Sequence, residues 1–167
     1  SMAKDSIVLA MANPVPEIMY PEAKEAGVRV YGSGRSDAPN QTNNVTVFPG
    51  LFRGALDVRA SSITEEMKLA AVYAIAGLVE EKDLRDDFVV VDAFDPRVAP
   101  AVAAAVAKVA IETGVARVKV DPEEVRARAA ARNAAGHSLQ CGLNGAPSLA
   151  SAGSCARRGP RPSLRLW

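Results

Sequence analysis

Apolar residues recur along the chain in two periods, and the change from one to the other sets the expected architecture. Ile7 to Ala12 is a short apolar run with β-branched residues, ended by Asn13-Pro14 and then Pro16. It reads as a buried strand whose end is fixed by proline. A helical turn at Pro21 to Ala26 and a second β run from Val28 to Tyr31, closing at Gly32, follow. Strand, short helix, strand is the rhythm of a parallel α/β sheet. A helix is then expected from Asn43 to Val58, with Val47, Phe48, Leu51, Phe52, Ala55 and Leu56 as its buried face. The next helix runs to about Glu80, with Met67, Ala70, Ala71, Ala74, Ile75 and Leu78 on one side. Ser62 and Glu65 form a capping box at its start, with Thr64 as the competing cap. Glu80 to Asp87 reads as a solvated loop and Phe88 to Val91 as a short strand. Asp95-Pro96 opens a helix through Val98, Val102, Val106 and Val109 to Gly114, and Asp121-Pro122 repeats that start signal for a last helix. A central buried strand needs neighbours on both sides, so further sequence is expected upstream of Ser1.

Composition narrows the class. The 167 residues suffice for one domain with a real core, and 49% hydrophobic with 23% charged residues is ordinary for a soluble globular protein. A net charge of +1 argues against nucleic acid or an anionic membrane as main partner. No secretory signal and no bilayer-length apolar segment is present in the sequence. Cys141 and Cys155 match no metal-ligand spacing, so a reducing, cytoplasmic setting is the default. After about Asn133 the period disappears, and no Lys, Asp or Glu follows Glu124. Two readings stand for this stretch: a disordered tail, or an out-of-frame translation of GC-rich codons. The expected organisation is therefore residues 1–120 as an α/β unit with closing helices, 121–133 as a terminal helix, and 134–167 as an irregular tail.

Gly32 to Arg59 is the stretch around which the chemistry gathers. A loop of neutral amides feeding a helix start can hold an anion on free N–H groups and the helix dipole. Asn13 ends a strand, and ligands of open α/β sheets bind beyond the carboxyl ends of strands. Its amide offers a donor and an acceptor without charge; the alternative is an Asn-Pro turn bonding its own backbone. Of Asn43 and Asn44, one can cap while the other faces ligand. Arg35 and Asp37 pair with each other or with a neighbouring subunit. Asp83, Asp86 and Asp87 read as a solvated turn rather than a metal site. Gly32 and Gly34 make no GxGxxG, and no P-loop occurs. Tyr20, Tyr31 and Tyr73 read as half-buried structure, no lysine or tyrosine is marked as an acid or base, and His137 lies alone in the tail.

Four strings together resemble the C-terminal part of a bacterial malic enzyme: AMANPVPEI from Ala10, GRSDAPNQTNNVTVFPGLFRGALDVRA from Gly34, ITEEMKLAA from Ile63, and FDPRVAPAVAAAVAKVAIETGVAR from Phe94. The resemblance covers roughly Ser1 to Glu124 in order. It implies a partial Rossmann-like parallel sheet, the C-terminal half of an NAD(P)-binding domain, followed by closing helices. It implies oxidative decarboxylation of L-malate to pyruvate and CO2 with NAD or NADP and with Mg2+ or Mn2+, in an enzyme that is a homo-oligomer. By the resemblance Asn13 contacts both malate and the nicotinamide, and Asn44 binds a malate carboxylate. The catalytic lysine, the tyrosine acid, the metal carboxylates and the glycine-rich turn lie upstream of this sequence. The isolated chain is therefore expected to be inactive. The competing expectations are a non-catalytic α/β module that associates with a complete malic enzyme subunit, and another α/β dehydrogenase.

Overall fold

The computed structural model describes residues 2–143, with side chains as far as residue 135. Its helical half is built around α4, Val98–Glu112. The sequence VAPAVAAAVAKVAIE is apolar on nearly every face, which suits a helix enclosed on all sides. Val102, Ala103, Val106, Ala107 and Ala110 are accordingly without measurable exposure. Three helices enclose it: α2 (Phe48–Asp57), α3 (Glu65–Ala76) and α5 (Pro122–Leu143).

The packed face of α2 differs from the predicted stripe. Leu51 and Ala55 are buried as expected, but Phe48, Phe52 and Leu56 face outward, and Gly50 and Gly54 face α4 instead. A Cβ on Gly54 would stand 2.5 Å from the Ala103 carbonyl oxygen, and one on Gly50 would stand 2.6 Å from Val102 Cβ. The two glycines, four residues apart, form a groove into which α4 settles, and close backbone approach outweighs burial of the aromatic rings. Phe48 and Phe52 stack on one another outside, with centroids 5.7 Å apart. The single helix expected from Asn43 to Val58 is broken as well. A 3-10 turn, Asn44–Thr46, precedes Val47, and α2 begins only at Phe48.

At α3 the competing cap is used: Thr64 Oγ1 accepts the Met67 N–H at 3.3 Å. The helix ends at Ala76 with Gly77 as its cap, before the expected Glu80. Met67 and Ala71 point into the core. α4 starts later than Pro96. Asp95 Oδ1 accepts the Arg97 N–H at 2.9 Å, and its carbonyl accepts the Val98 N–H at 3.1 Å. Asp95 thus folds the turn ahead of the helix rather than its first residue.

That aspartate carries an acid sensitivity. The Arg97 guanidinium, bonded to it at 2.7 Å, holds its carboxyl below the usual carboxylate value, helped by the Arg97 N–H and opposed by partial burial. A folded-state value below the unfolded one stabilises the fold fully above the unfolded value, and that contribution fades as pH falls through the folded value. The chain is therefore expected to lose stability more steeply than Asp95→Asn below about pH 4. Parallel acid-denaturation curves would show the pair to be without effect.

The sheet half is small. β1 (Ile7–Ala10) and β2 (Val30–Ser33) pair in parallel, Ile7 opposite Val30 and Ala10 opposite Ser33, with α1 (Tyr20–Glu25) as the crossover. β2 starts two residues late because Val28 donates to the Ala23 carbonyl instead of entering the ladder. β1 is not the fully buried strand expected. Its alternate residues Ile7 and Leu9 are 65% and 53% exposed, while Ala10 packs with Ala23, Val28 and Tyr31 on the α1 side. A strand sends successive side chains to opposite faces, and only the α1 face is covered by the described residues.

Phe88 to Val91 is not a strand. It forms one bridge to Arg85, and the Val89 N–H is taken by the side chain of Asn40 at 2.7 Å. Asn40 is buried and has a φ of 52°. Its Nδ2 also donates to the Tyr31 carbonyl at 2.9 Å and the Asp86 carbonyl at 3.0 Å. One amide thus ties β2 to the segment leading into α4. The loop from Glu81 to Asp87 is exposed, as expected, with a 3-10 turn at Glu81–Asp83. Asp121 opens α5 by accepting the Glu123 N–H at 3.0 Å. The helix runs to Leu143, past the change expected near Asn133, because Ala134 and Ala135 extend its helix-favouring run. The expectations for 144–167 lie outside the described residues.

Candidate functional site

The carboxyl ends of both strands turn toward the same region. Beyond β1 the chain runs Met11-Ala12-Asn13-Pro14, with a cis Asn13-Pro14 peptide. Glu17 holds this turn by accepting the Ala12 N–H at 3.1 Å, and such backbone donors keep its carboxyl below the usual value. Asn13 lies against Gly34, the residue after β2. A Cβ there would stand 2.9 Å from Asn13 Oδ1 and 3.1 Å from Nδ2. Glycine at 34 is therefore what lets the amide sit over the strand end. The Asn13 side chain is exposed and bonds no backbone group among the described residues, unlike the Asn-Pro turn considered as the alternative.

The second amide comes from the loop after β2. Thr42 donates its N–H to the Ser33 carbonyl at 2.8 Å, and Gln41 Nε2 donates to the Gly34 carbonyl at 3.2 Å. These bonds pin the loop beside the strand end. Asn43 then serves as the cap, its Oδ1 accepting the Val45 N–H at 3.0 Å. The Asn44 side chain is left exposed, without a hydrogen-bond partner among the described residues, while its carbonyl accepts the Val47 N–H at 3.1 Å. Of the two amides, Asn43 is the cap and Asn44 the one left exposed. The helix start expected to hold an anion is a three-residue turn rather than the end of a long helix.

Asn44 lines an open cleft of about 240 Å3 with Met11, Thr42, Thr46, Ile75 and Val90. Asn13 is two residues beyond Met11 and lies outside that cleft, on Gly34. Asn13 rests on Gly34, while Asn44 follows a loop pinned to Ser33 and Gly34 through Thr42 and Gln41, and the two amides do not share a pocket. Thr46, missed in the sequence, is a buried residue lining the same cleft, and its hydroxyl has no partner among the described residues. Asn40 was also missed, although Pro39-Asn40 is a turn signal and Asn tolerates positive φ.

The surroundings are neutral. Arg35 and Asp37 pair with each other at 2.7 Å, which raises the guanidinium's value and lowers the carboxyl's. The Tyr31 hydroxyl is spent on the Ile18 carbonyl at 2.8 Å, with Tyr20 tilted against its ring. Tyr73 is exposed on α3 rather than half-buried. No tyrosine or lysine lines the Asn44 cleft. Among the described residues no group of three or more His, Cys, Asp or Glu could hold a metal ion, and no helix is long and apolar enough to cross a membrane. These amides can bind and orient a ligand but cannot themselves move a proton.

Parallel strands joined by a helix, with polar side chains beyond their carboxyl ends, make an α/β unit of the kind found in open parallel sheets. The sequence model of the family described as "Malic enzyme, NAD binding domain" matches residues 27–111. The bifunctional malic/malolactic enzyme of Bacillus subtilis is 69% identical over 125 residues, covering 75% of this chain and 30% of that protein. The NAD-dependent malic enzyme of Geobacillus stearothermophilus is 56% identical over 116 residues, covering 70% of this chain and 24% of its own length. The crystal structure of malic enzyme from Pyrococcus horikoshii superposes with a TM-score of 0.79 at 45% identity, over 86% of this chain and 33% of that one. The chain belongs to the malic enzyme family. It spans about a third or less of the length of these relatives.

Proposed function

We propose that this chain supplies the Asn13 and Asn44 side of a substrate and nicotinamide site in an enzyme that oxidises L-malate with NAD or NADP and releases pyruvate and CO2. The observation that carries this reading is the pair of exposed side-chain amides beyond the carboxyl ends of β1 and β2, each without a hydrogen-bond partner among the described residues. Membership of the malic enzyme family supports it. Asn44 Nδ2 donates to a malate carboxylate. Asn13 donates and accepts at once, which suits malate on one side and a nicotinamide carboxamide on the other. Bound NAD(P) supplies the hydride acceptor. The amides orient both molecules without adding a charge near the developing one.

The reading includes Mg2+ or Mn2+, a homo-oligomeric enzyme and a cytoplasmic setting. The described residues do not fit the metal, since they offer no cluster of ligands, and no step is derived through it. The metal carboxylates, general base and general acid belong in this reading to a part of the enzyme outside residues 2–143. The purified 167-residue chain, given L-malate, NAD+ or NADP+ and Mg2+, is accordingly expected to form no reduced cofactor. Metal-dependent malate oxidation by the chain alone would overturn that assignment.

The direct test replaces the matching segment of the Bacillus subtilis relative with residues 1–125 of this chain. In an active chimera, Asn44→Ala is expected to raise KM for malate about 10- to 100-fold, the loss of one hydrogen bond to a charged group. Asn13→Ala is expected to lower kcat as well. Unchanged kinetics in both variants would sink the reading. A second reading draws on the exposed apolar residues Ile7, Leu9, Phe52 and Leu56, which favour a non-catalytic module associating with a complete malic enzyme subunit. Co-purification with such a subunit, without any contribution to turnover, would distinguish it.

A further inference from the structure

A second cleft, of about 440 Å3, shares no residue with the cleft at Asn44 and opens between α3, α4 and the first turn of α5. Its volume falls within the range of small-molecule sites, roughly 300–1,000 Å3. Ala101 and Ala104 of α4 lie on its lining, and Leu78, just past α3, adds an apolar wall. Both alanines are nearly fully buried and present only methyl groups, so the floor of the cleft is apolar. Each of the three helices then contributes one recognition group: Tyr73 from α3, Lys108 from α4 and Arg126 from α5. The Tyr73 side chain is 69% exposed, far more than a tyrosine needs for structure.

Of the two cations, Lys108 is loosely engaged, whereas Arg126 bonds both oxygens of Glu123, a carboxylate that itself lines the cleft. Lys108 reaches Glu112 at 3.9 Å, and Arg126 reaches Glu123 at 3.0 Å, with all four side chains well exposed. Exposed pairs of this kind contribute little and exchange readily for a better anion. An anionic pair of oxygens, from a carboxylate or a phosphate, set between Lys108 and Arg126 could bond both, leaving Glu112 and Glu123 to water. No feature of the proposed malate reading uses this cleft.

We propose that the cleft between α3, α4 and α5 binds a small amphipathic anion, with a flat ring beside Tyr73 over the alanine floor and a phosphate or carboxylate between Lys108 and Arg126. The shared chemistry is a planar apolar ring carrying one anionic group. A nucleoside monophosphate and an aromatic carboxylate both meet it.

The test titrates the full 167-residue chain, labelled with 15N, with AMP, adenosine, 2-naphthoate and inorganic phosphate while following backbone amides. AMP or 2-naphthoate is expected to shift Ala101, Ala104 and Lys108 saturably. Adenosine, lacking the anion, is expected to bind at least about tenfold more weakly. Tyr73→Ala and the double variant Lys108→Gln, Arg126→Gln are each expected to weaken binding about tenfold. All three positions are exposed, so the spectra of the variants should otherwise overlay. Tighter binding of AMP supports a phosphate ligand, and tighter binding of 2-naphthoate supports a carboxylate. The proposal is overturned if neither probe shifts these amides at about 10 mM, a Kd too weak to matter. It is overturned equally if inorganic phosphate acts as strongly as AMP, or if both variants bind undiminished.

Discussion

Asn40→Ala is expected to lower the unfolding free energy by about 4 kcal/mol, the largest single effect anticipated in this chain. The substitution strands three backbone groups: the carbonyls of Tyr31 and Asp86 and the N–H of Val89. Each buried polar group left without a partner costs about 1–3 kcal/mol, with some recovery where water enters. The backbone adds to this. At a φ of 52° alanine is disfavoured by about 1–2 kcal/mol, a conformation asparagine tolerates. Asn40→Gly separates the two causes, because it relieves the backbone but not the lost bonds. The expected order of stability in urea is wild type, then Asn40→Gly, then Asn40→Ala. Asn40→Asp should gain little over alanine, since its second oxygen would face two carbonyls. A loss under about 1 kcal/mol for Asn40→Ala would mean that the amide does not bridge the two segments.

Gly54→Ala is expected to destabilise the chain by about 1–2 kcal/mol, against the sign that helix propensity alone would give. Alanine in place of a helical glycine gains about 1 kcal/mol where nothing opposes it. Here the new Cβ would meet the Ala103 carbonyl oxygen at 2.5 Å and Val106 Cβ at 2.9 Å. The first neighbour is backbone of a helix packed on all sides, so it cannot swing away. Overpacking of this kind costs about 1–3 kcal/mol or more. The strain is relieved by pushing α2 off α4, and α2 is preceded by the turn bearing Asn44. In the chimeric enzyme the same change is therefore expected to weaken malate binding. A thermal midpoint equal to or above wild type would refute the close approach.

The sequence was legible where a local signal carried the structure. Asp121-Pro122, the strand-helix-strand rhythm and the inward side of α3 are each written in adjacent residues. Asn43 and Asn44 could be read as one cap and one exposed amide because capping is a short-range matter. It was misleading where a long-range contact overruled the local pattern. The stripe Phe48, Phe52, Leu56 has helical spacing, yet α4 selects the glycine side of that helix. Phe88 to Val91 has strand composition, but the Val89 N–H is claimed by a side chain 49 residues earlier. The hydrogen-bonding role of Asn40 depends on Tyr31, Asp86 and Val89 meeting in space, which no spacing rule encodes. Asn13 was expected to end a buried strand and lies three residues beyond β1, while its resting place on Gly34 required the fold.

The apolar interior is divided into two clusters, one around α4 and one holding Ala10, Ala23, Val28 and Tyr31. Across that divide run the bonds of Asn40 and the ion pair of Arg29 with Asp86. Such a division sets two cooperative units of unequal strength. Amides of α4 would exchange with solvent only when the whole chain opens, whereas those of β1 and β2 would exchange through a cheaper, partial opening. Asn13 rides on the weaker unit, and Asn44 stands at the entrance to the stronger one. A molecule gripping both amides would lend the slow exchange of α4 to the strands, and the rise in β1 and β2 protection would report the union of the two units.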